Sequence, residues 1–453
     1  MKTEISRRTL LGQMGGGLGM LGLAQTLQAG GSNFSPHFVP RAKRVIHLFM
    51  NGGPFGPDFF DPKPALTKYN GQRPEGADLR TERPTGGLMS VPYKYAKYGK
   101  SGLPVSELLP KLAQNHADDL CLLKSVYTDN PNHGPALLLM NNGTMTPRVP
   151  SMGAWVSYGL GTENRNLPSY VVLCPGKPVR FSILWNSAFL PAKHAGMYVN
   201  HSKLDPNAMI PWLKNAKVSG KDQVDQVGLL NALNKEHLVA RGGSDIRLEG
   251  RIEAMETAYR MQFSASDAFD INREPESMRE RYGKSHFANG CLMARRLVER
   301  GTRFVQLYYG NSQPWDTHTK HDEKTRKLAA DIDQPISALL TDLKERGMLE
   351  DTLVVWGGEF GRTPVSERGD GRDHNPHGFL MWMAGGGVKG GYSHGTSDEF
   401  GFKAQEKAMH VNDLHATILH LLGVDHERLT YRYAGRDYRL TDVAGNVAHD
   451  ILA

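Results

Sequence analysis

The chain has 453 residues, 39% hydrophobic and 22% charged, which suits one large α/β domain or two ordinary ones and excludes a fibrous or disordered class. The formal charge of +7 is spread without a basic block or a basic–aromatic stripe. That argues against nucleic-acid binding and supports only a mild preference for anionic substrates. Cys121, Cys174 and Cys291 stand far apart, form no CxxC pair and read as buried small hydrophobes.

The chain opens with SRRTLLGQMGGGLGMLGLAQTLQAG, in which Arg7 and Arg8 precede a glycine-rich, moderately apolar stretch and small residues near Ala29. This is the pattern of a twin-arginine signal peptide, so residues 1–29 are expected to engage the twin-arginine export machinery and to be removed. The stretch is too short and too rich in glycine for a spanning helix, so no stable membrane insertion is expected. The mature protein would then be periplasmic or secreted. That route carries folded proteins, so a metal could be inserted beforehand.

RVIHLFM (44–50) is a β-branched apolar run that ends in NGGP and reads as the first core strand. DLCLLKSV (119–126) and PSYVVLC (168–174) are two more, with HGPALLLMNNG (133–143) between them as a short helix. Residues 222–301 turn strongly helical, with apolar residues at three-to-four spacing in RIEAMETAYRMQF and ANGCLMARRLVERG and a stop at Gly301. TRFVQLYY (302–309), TLVVWG (352–357) and FLMWMAG (379–385) resume the strand pattern, with a long helix between the first two. Asn412 or Asp413 can cap a last helix, DLHATILHLLG, which stops at Gly423. Strands that read as continuous apolar runs and alternate with helices predict an α/β fold, its mostly parallel sheet covered on both faces. Residues 30–453 are expected to form one domain, with a helical insertion at about 222–301. In such sheets ligands sit at the carboxyl ends of the strands.

The polar motifs fall at those ends. Half of the 18 histidines lie between His318 and His426. After strand 302–309 come Asp316, His318 and His321; after TLVVWG comes Glu359; GRDHNPHG adds Asp373, His374 and His377 just before FLMWMAG. A mixed carboxylate–imidazole set suits zinc, manganese or iron, whereas calcium would want oxygen ligands throughout. Arg362, Arg372 and Lys389 lie close by and could clamp an anionic ester. GGGVKGG (385–391) lacks the GK[ST] ending of a phosphate loop and reads as a turn. Asp58 and Asp61 follow the first strand, with DPKP favouring a rigid turn at Asp61. In YTDNPNHGPA, Thr128, Asp129, Asn132 and His133 precede a helix start, where they could meet an anion or simply cap the helix. His415 and His420 are five apart and do not share a helical face; His410 stays open as a ligand.

HLFMNGGP, DFFDPKP, DNPNHGPALLL, SMGAWVSYGLG, QPWDTH, GGEFGRTP, GRDHNPHGF and HVNDLHATILHLLG, together with the twin-arginine start, resemble the bacterial DUF1501 family over nearly the whole mature chain. That family resembles a distant branch of the alkaline phosphatase and sulfatase superfamily. The resemblance implies a three-layer α/β/α sandwich and phosphate- or sulfate-ester hydrolysis at a metal centre. It implies that Asp316, His318 and either His374 or His377 correspond to one metal site, and that Glu359 stands where a second site has an aspartate. Phe360, Gly52 and Gly53 stand where that pattern has further ligands, and the Cys/Ser-x-Pro-x-Arg nucleophile motif is absent. One metal site is therefore expected to survive, with water attacking directly.

The expectation is a secreted hydrolase of a small-molecule or glycan ester that uses a divalent metal, zinc or manganese. Asp316, His318 and His374 would hold the ion, Glu359 would be a further ligand or base, His377 or His133 would protonate the leaving group, and Arg362 and Arg372 would bind substrate. The alternative is a non-catalytic metal- or glycan-binding protein that keeps the fold with an altered site.

Overall fold

Alternation at period two decides how the first strand is used. In β1 (Arg44–Phe49), Ile46 and Leu48 enter one apolar core, while Val45 and Phe49 enter another on the opposite face. The same split recurs in β3 (Tyr170–Leu173), β5 (Phe304–Tyr308) and β6 (Thr352–Gly357), which is why these runs are apolar throughout. The computed structural model describes residues 35–210, 220–240, 246–367 and 369–453, so the predicted signal peptide lies outside the described residues. Among the described residues, no helix is long and apolar enough to cross a membrane.

The remaining strands of the central sheet are β2 (Leu120–Tyr127), β4 (Met197–Val199), β9 (Phe379–Ala384), β10 (Tyr392–His394) and β11 (Met409–His410). Their order is β10-β2-β9-β6-β1-β5-β3-β4, with β11 also paired to β2. β9 runs antiparallel to both β2 and β6, and every other pairing is parallel. The mostly parallel sheet expected from the sequence is present, with one reversed strand. That strand is reversed because β7 (Gly361–Glu367) and β8 (Gly371–Asn375) form a hairpin that turns the chain back before β9.

Helices cover both faces. α1 (Pro110–His116), α6 (His286–Glu299) and α7 (His321–Glu345) bury Leu112, Leu292 and Leu339 in the first core. α2 (His133–Asn142), α3 (Met152–Leu160) and α8 (Val411–Leu421) bury Leu137, Trp155 and Leu414 in the second. The fold is thus a three-layer α/β/α sandwich. Of the helical stretch 222–301, α6 lies directly on β1 and β5 as part of a layer, whereas α4 (Gly220–Ala240) is largely exposed and α5 (Ile246–Phe269) packs at the sheet's edge near residues 192–194.

The cap of α8 differs from expectation. The His410 side chain accepts from the Asn412 amide at 3.2 Å, and Asp413 closes the box by accepting from the His410 amide at 2.8 Å. His410 is therefore a cap, paired also with Asp129 at 3.3 Å.

Four histidines are buried neutral in these layers. Burial drives His47 and His194 down to about 3 and His201 and His415 down to about 4, from an ordinary value near 6.5. Each folded value lies below the unfolded one, so the unfolded chain binds more protons in the window between them. Stability should be unaffected above about pH 7 and fall as pH drops from about 6.5 to 4, by about 1.4 kcal/mol per pH unit for each histidine. Urea midpoints across pH 4–8 measure this; a flat profile through pH 5 would show that these rings take up protons without unfolding.

Candidate metal centre

Segments from the carboxyl ends of β1, β2, β5 and β6 converge with the β7–β8 hairpin. The turn after β1 contains Gly52 and Gly53, both with positive φ (117° and 84°). A Cβ on Gly52 would stand 2.4 Å from the Asp316 amide nitrogen, and one on Gly53 would stand 2.5 Å from the Phe360 carbonyl. These positions let the turn after β1 press backbone to backbone against both polar loops, and neither has room for a side chain. Asn51 fastens the loop after β5, its amide donating to the carbonyls of Gly310 (3.0 Å) and Ser312 (2.5 Å).

That loop delivers Asp316 and His318, and the hairpin delivers His374. Asp316 Oδ1 lies 2.9 Å from His318 Nε2 and 3.2 Å from His374 Nε2, and the two Nε2 atoms are 3.1 Å apart. Bonds of 2.0–2.1 Å in a tetrahedral zinc site put ligand atoms about 3.3 Å from one another, so this triangle has nearly the size one ion needs. His133, the first residue of α2, brings its Nε2 to 3.4 Å from Asp316 Oδ2. That nitrogen is buried and without a hydrogen-bond partner.

The opposite nitrogen of each ring is fixed by a glutamate. His133 Nδ1 meets Glu359 at 2.7 Å, His318 Nδ1 meets Glu367, and His374 Nδ1 meets Glu82. A carboxylate on Nδ1 holds the proton there and leaves Nε2 as a lone pair. Three such lone pairs facing one carboxylate repel one another unless a cation or shared protons lie between them. His133, Asp316 and His374 can place ligand atoms within 4.8 Å of one another, as can His318, Asp373 and His374. The donor set therefore fits a divalent zinc or manganese ion. Without an ion, protons fill the role. Burial opposes charge on His133, but Asp316 and Glu359 push it up to about 9. Burial likewise opposes charge on Asp316, yet His133, His318, His374 and the Arg362 cation hold its carboxyl well below the usual range. For His374, burial comes first and, with Arg362 and His133, lowers its pKa against the pull of Asp316.

The other residues singled out in the sequence take these places. Glu359 is fully buried behind His133, whose ring it orients, and it also accepts from the Gly52 amide at 3.1 Å and from Gln313 at 3.1 Å. Arg362 is buried and committed to the Gly52, Gly53 and Arg372 carbonyls and to Asp316 Oδ1 at 2.5 Å, so it positions the aspartate. Arg372 is buried too, donating to the carbonyls of Thr363, Met89 and Ser90 and stacking on Phe55 at 4.0 Å. Both side chains are buried, and Arg372 Nε has no hydrogen-bond partner. Lys389 donates to the Asp450 carbonyl, away from the cluster. The His377 ring bonds the Arg80 carbonyl at 2.8 Å. His321 turns inward to Asp58 (2.8 Å) and Thr317 (2.7 Å) rather than joining His318. Asp61 pairs with Lys63 at 3.0 Å, and Asn132 caps α2 by accepting from the Gly134 amide.

Two partners escaped the sequence reading, Glu82 and Glu367. Glu82 lies in a segment that crosses over the centre, where it also accepts from Asn132 at 3.1 Å while the Arg83 amide donates to Asp373 at 2.7 Å. Nothing local in RTERP or VSERG marks these glutamates; only the fold brings them to the histidines.

Fold and cluster together define a three-layer α/β/α protein with an imidazole–carboxylate centre at its strand ends. The chain belongs to the family described as "Protein of unknown function (DUF1501)", whose model matches residues 42–452. No curated protein matches it in sequence. Among solved structures it is similar to the PsFucS1 sulfatase from Pseudoalteromonas sp., at 13% identity over 89% of this chain and 70% of that one, with a TM-score of 0.34. It is also similar to the lipoteichoic acid synthase LtaP from Listeria monocytogenes (11% identity, 90% and 78% covered, TM-score 0.38). A third similar structure is the C-terminal periplasmic domain of EcEptC from Escherichia coli (9% identity, 86% and 85% covered, TM-score 0.35).

Proposed function

We propose that this protein is a metal-dependent hydrolase of phosphate or sulfate esters, of small-molecule or glycan type, exported by the twin-arginine route to the periplasm or beyond. One observation carries the reading. The Nε2 atoms of His318 and His374 stand 2.9 and 3.2 Å from one oxygen of Asp316, with each Nδ1 fixed by a carboxylate. These three residues would hold a zinc or manganese ion, which when bound polarises an ester oxygen and acidifies water. Arg362 holds Asp316 in place. Glu359 holds His133 so that Nε2 faces the centre, where the ring in its doubly protonated form can give its Nε2 proton to the leaving oxygen.

A second reading is a closed, non-catalytic centre in which His133 Nε2 is the fourth ligand. The unpartnered state of that atom favours it, since a closed tetrahedral set leaves no position for substrate. Metal analysis of the purified protein, followed by chromogenic phosphate and sulfate esters with and without chelator, separates the two. About one ion per chain and chelator-sensitive turnover is the expected result. An ion without turnover returns the closed centre, and a protein that takes up no divalent ion rejects both.

A further inference from the structure

We propose that Arg180 is the substrate-gripping residue of this centre, clamping a tetrahedral oxyanion of the phosphate or sulfate type; this rests on the hydrolase reading above. The centre is crowded with the carboxylates of Asp316, Glu82, Glu359 and Glu367, and Arg362 is already bound to Asp316. An anionic ester approaching it needs positive charge beyond that of the ion.

Arg180 meets that need. It is exposed, and among the described residues no carboxylate pairs with its guanidinium. The group lies against the first turn of α2: a Cβ added at Gly134 would stand 2.5 Å from Nη2 and 2.8 Å from Nε. Gly134 directly follows His133, and the amide dipoles of that turn attract anions as well. The segment bearing Arg180 is tied to the loop that delivers Asp316, since the Ser312 amide donates to the Lys177 carbonyl at 2.9 Å and the Lys177 amide donates to Asn311 at 2.8 Å. The segment that bears Arg180 is thus tied to the loop that bears Asp316, and its guanidinium lies against the turn that bears His133.

Its backbone is strained. Arg180 (φ 68°, ψ −9°) and Phe181 (φ 36°) both lie in the left-handed region, which disfavours side chains other than glycine. Glycine would suit position 180 better for folding. An arginine there, with its planar fork free, points to use of that fork, which can engage two oxygens of a tetrahedral anion at once.

The test uses metal-loaded wild type, Arg180→Gly, Arg180→Lys and Gly134→Ala. Binding of inorganic phosphate and of inorganic sulfate is measured by calorimetry in separate arms, together with metal content, Tm, and the KM and kcat of any ester turned over. Arg180→Gly should weaken anion binding tenfold or more and raise KM more than it lowers kcat, with metal content unchanged and Tm no lower than wild type. Arg180→Lys should recover part of the loss. Gly134→Ala should reproduce it by displacing the guanidinium without removing it. The arm that binds tighter in wild type identifies which anion the clamp takes. The proposal is overturned if Arg180→Gly binds both anions within twofold of wild type, if it loses its metal, or if loaded wild type binds neither. Anion binding that depends on Arg180 without turnover would reject the hydrolase reading and leave the clamp standing.

Discussion

Replacing Asp316 with alanine should strip the centre of its ion. Among the described residues, Asp316 is the one carboxylate paired with all of His133, His318 and His374. Removing partners that merely orient a ligand lowers metal affinity by about 10–100-fold, so loss of this shared ligand should exceed about a hundredfold. Competition against a chromophoric chelator measures it, with Asp61→Asn, an acid paired to Lys63 outside the cluster, as the control. The same change leaves the buried Arg362 guanidinium with carbonyl acceptors only, which should lower stability by about 1–3 kcal/mol. An Asp316→Ala protein that keeps its full ion at wild-type affinity would show that the convergence of imidazoles has another purpose.

The second large effect is expected at Arg372, and on folding rather than on binding. Its guanidinium is fully buried between Phe55 and the carbonyls of Thr363, Met89 and Ser90. Burial lowers its pKa, and the carboxylates of Asp58 and Asp322 act against that. Arg372→Ala would take this donor from three carbonyls and leave Asp58, which faces His321, without that cation nearby. The expected loss is about 3–5 kcal/mol, the range for breaking a buried, compensated charge. Denaturant midpoints at unchanged m would report it. A variant that folds at wild-type stability but binds anionic ligand poorly would restore the clamp that its place in the sequence suggested.

The two arginines show how far sequence reasoning reached. Arg362 and Arg372 flank the histidine motifs, and nearness in sequence was the only ground for giving them to a substrate. In the hairpin β7–β8 both side chains point inward, where backbone carbonyls claim them. Arg180 lies far from those motifs in sequence and is set beside them only because the segment after β3 docks on the loop after β5. The histidines sort the same way. His318 and His374 were legible because ligand types crowd strand ends, whereas His321, three residues on from His318, opens α7 and so turns toward Asp58.

The sequence by itself determined the layers. Apolar runs of strand length bounded by turns, and apolar residues at helical spacing, are local signals that bury only one way, so the sandwich and its polar strand-end edge could be read directly. The reversal of β9, the glutamate behind each histidine, the burial of two arginines and the role of Gly52 and Gly53 were decided by tertiary structure alone. Most depend on which group lies a few ångströms from which across anything from 49 residues (Glu367 to His318) to 292 (Glu82 to His374), and no local pattern encodes that distance.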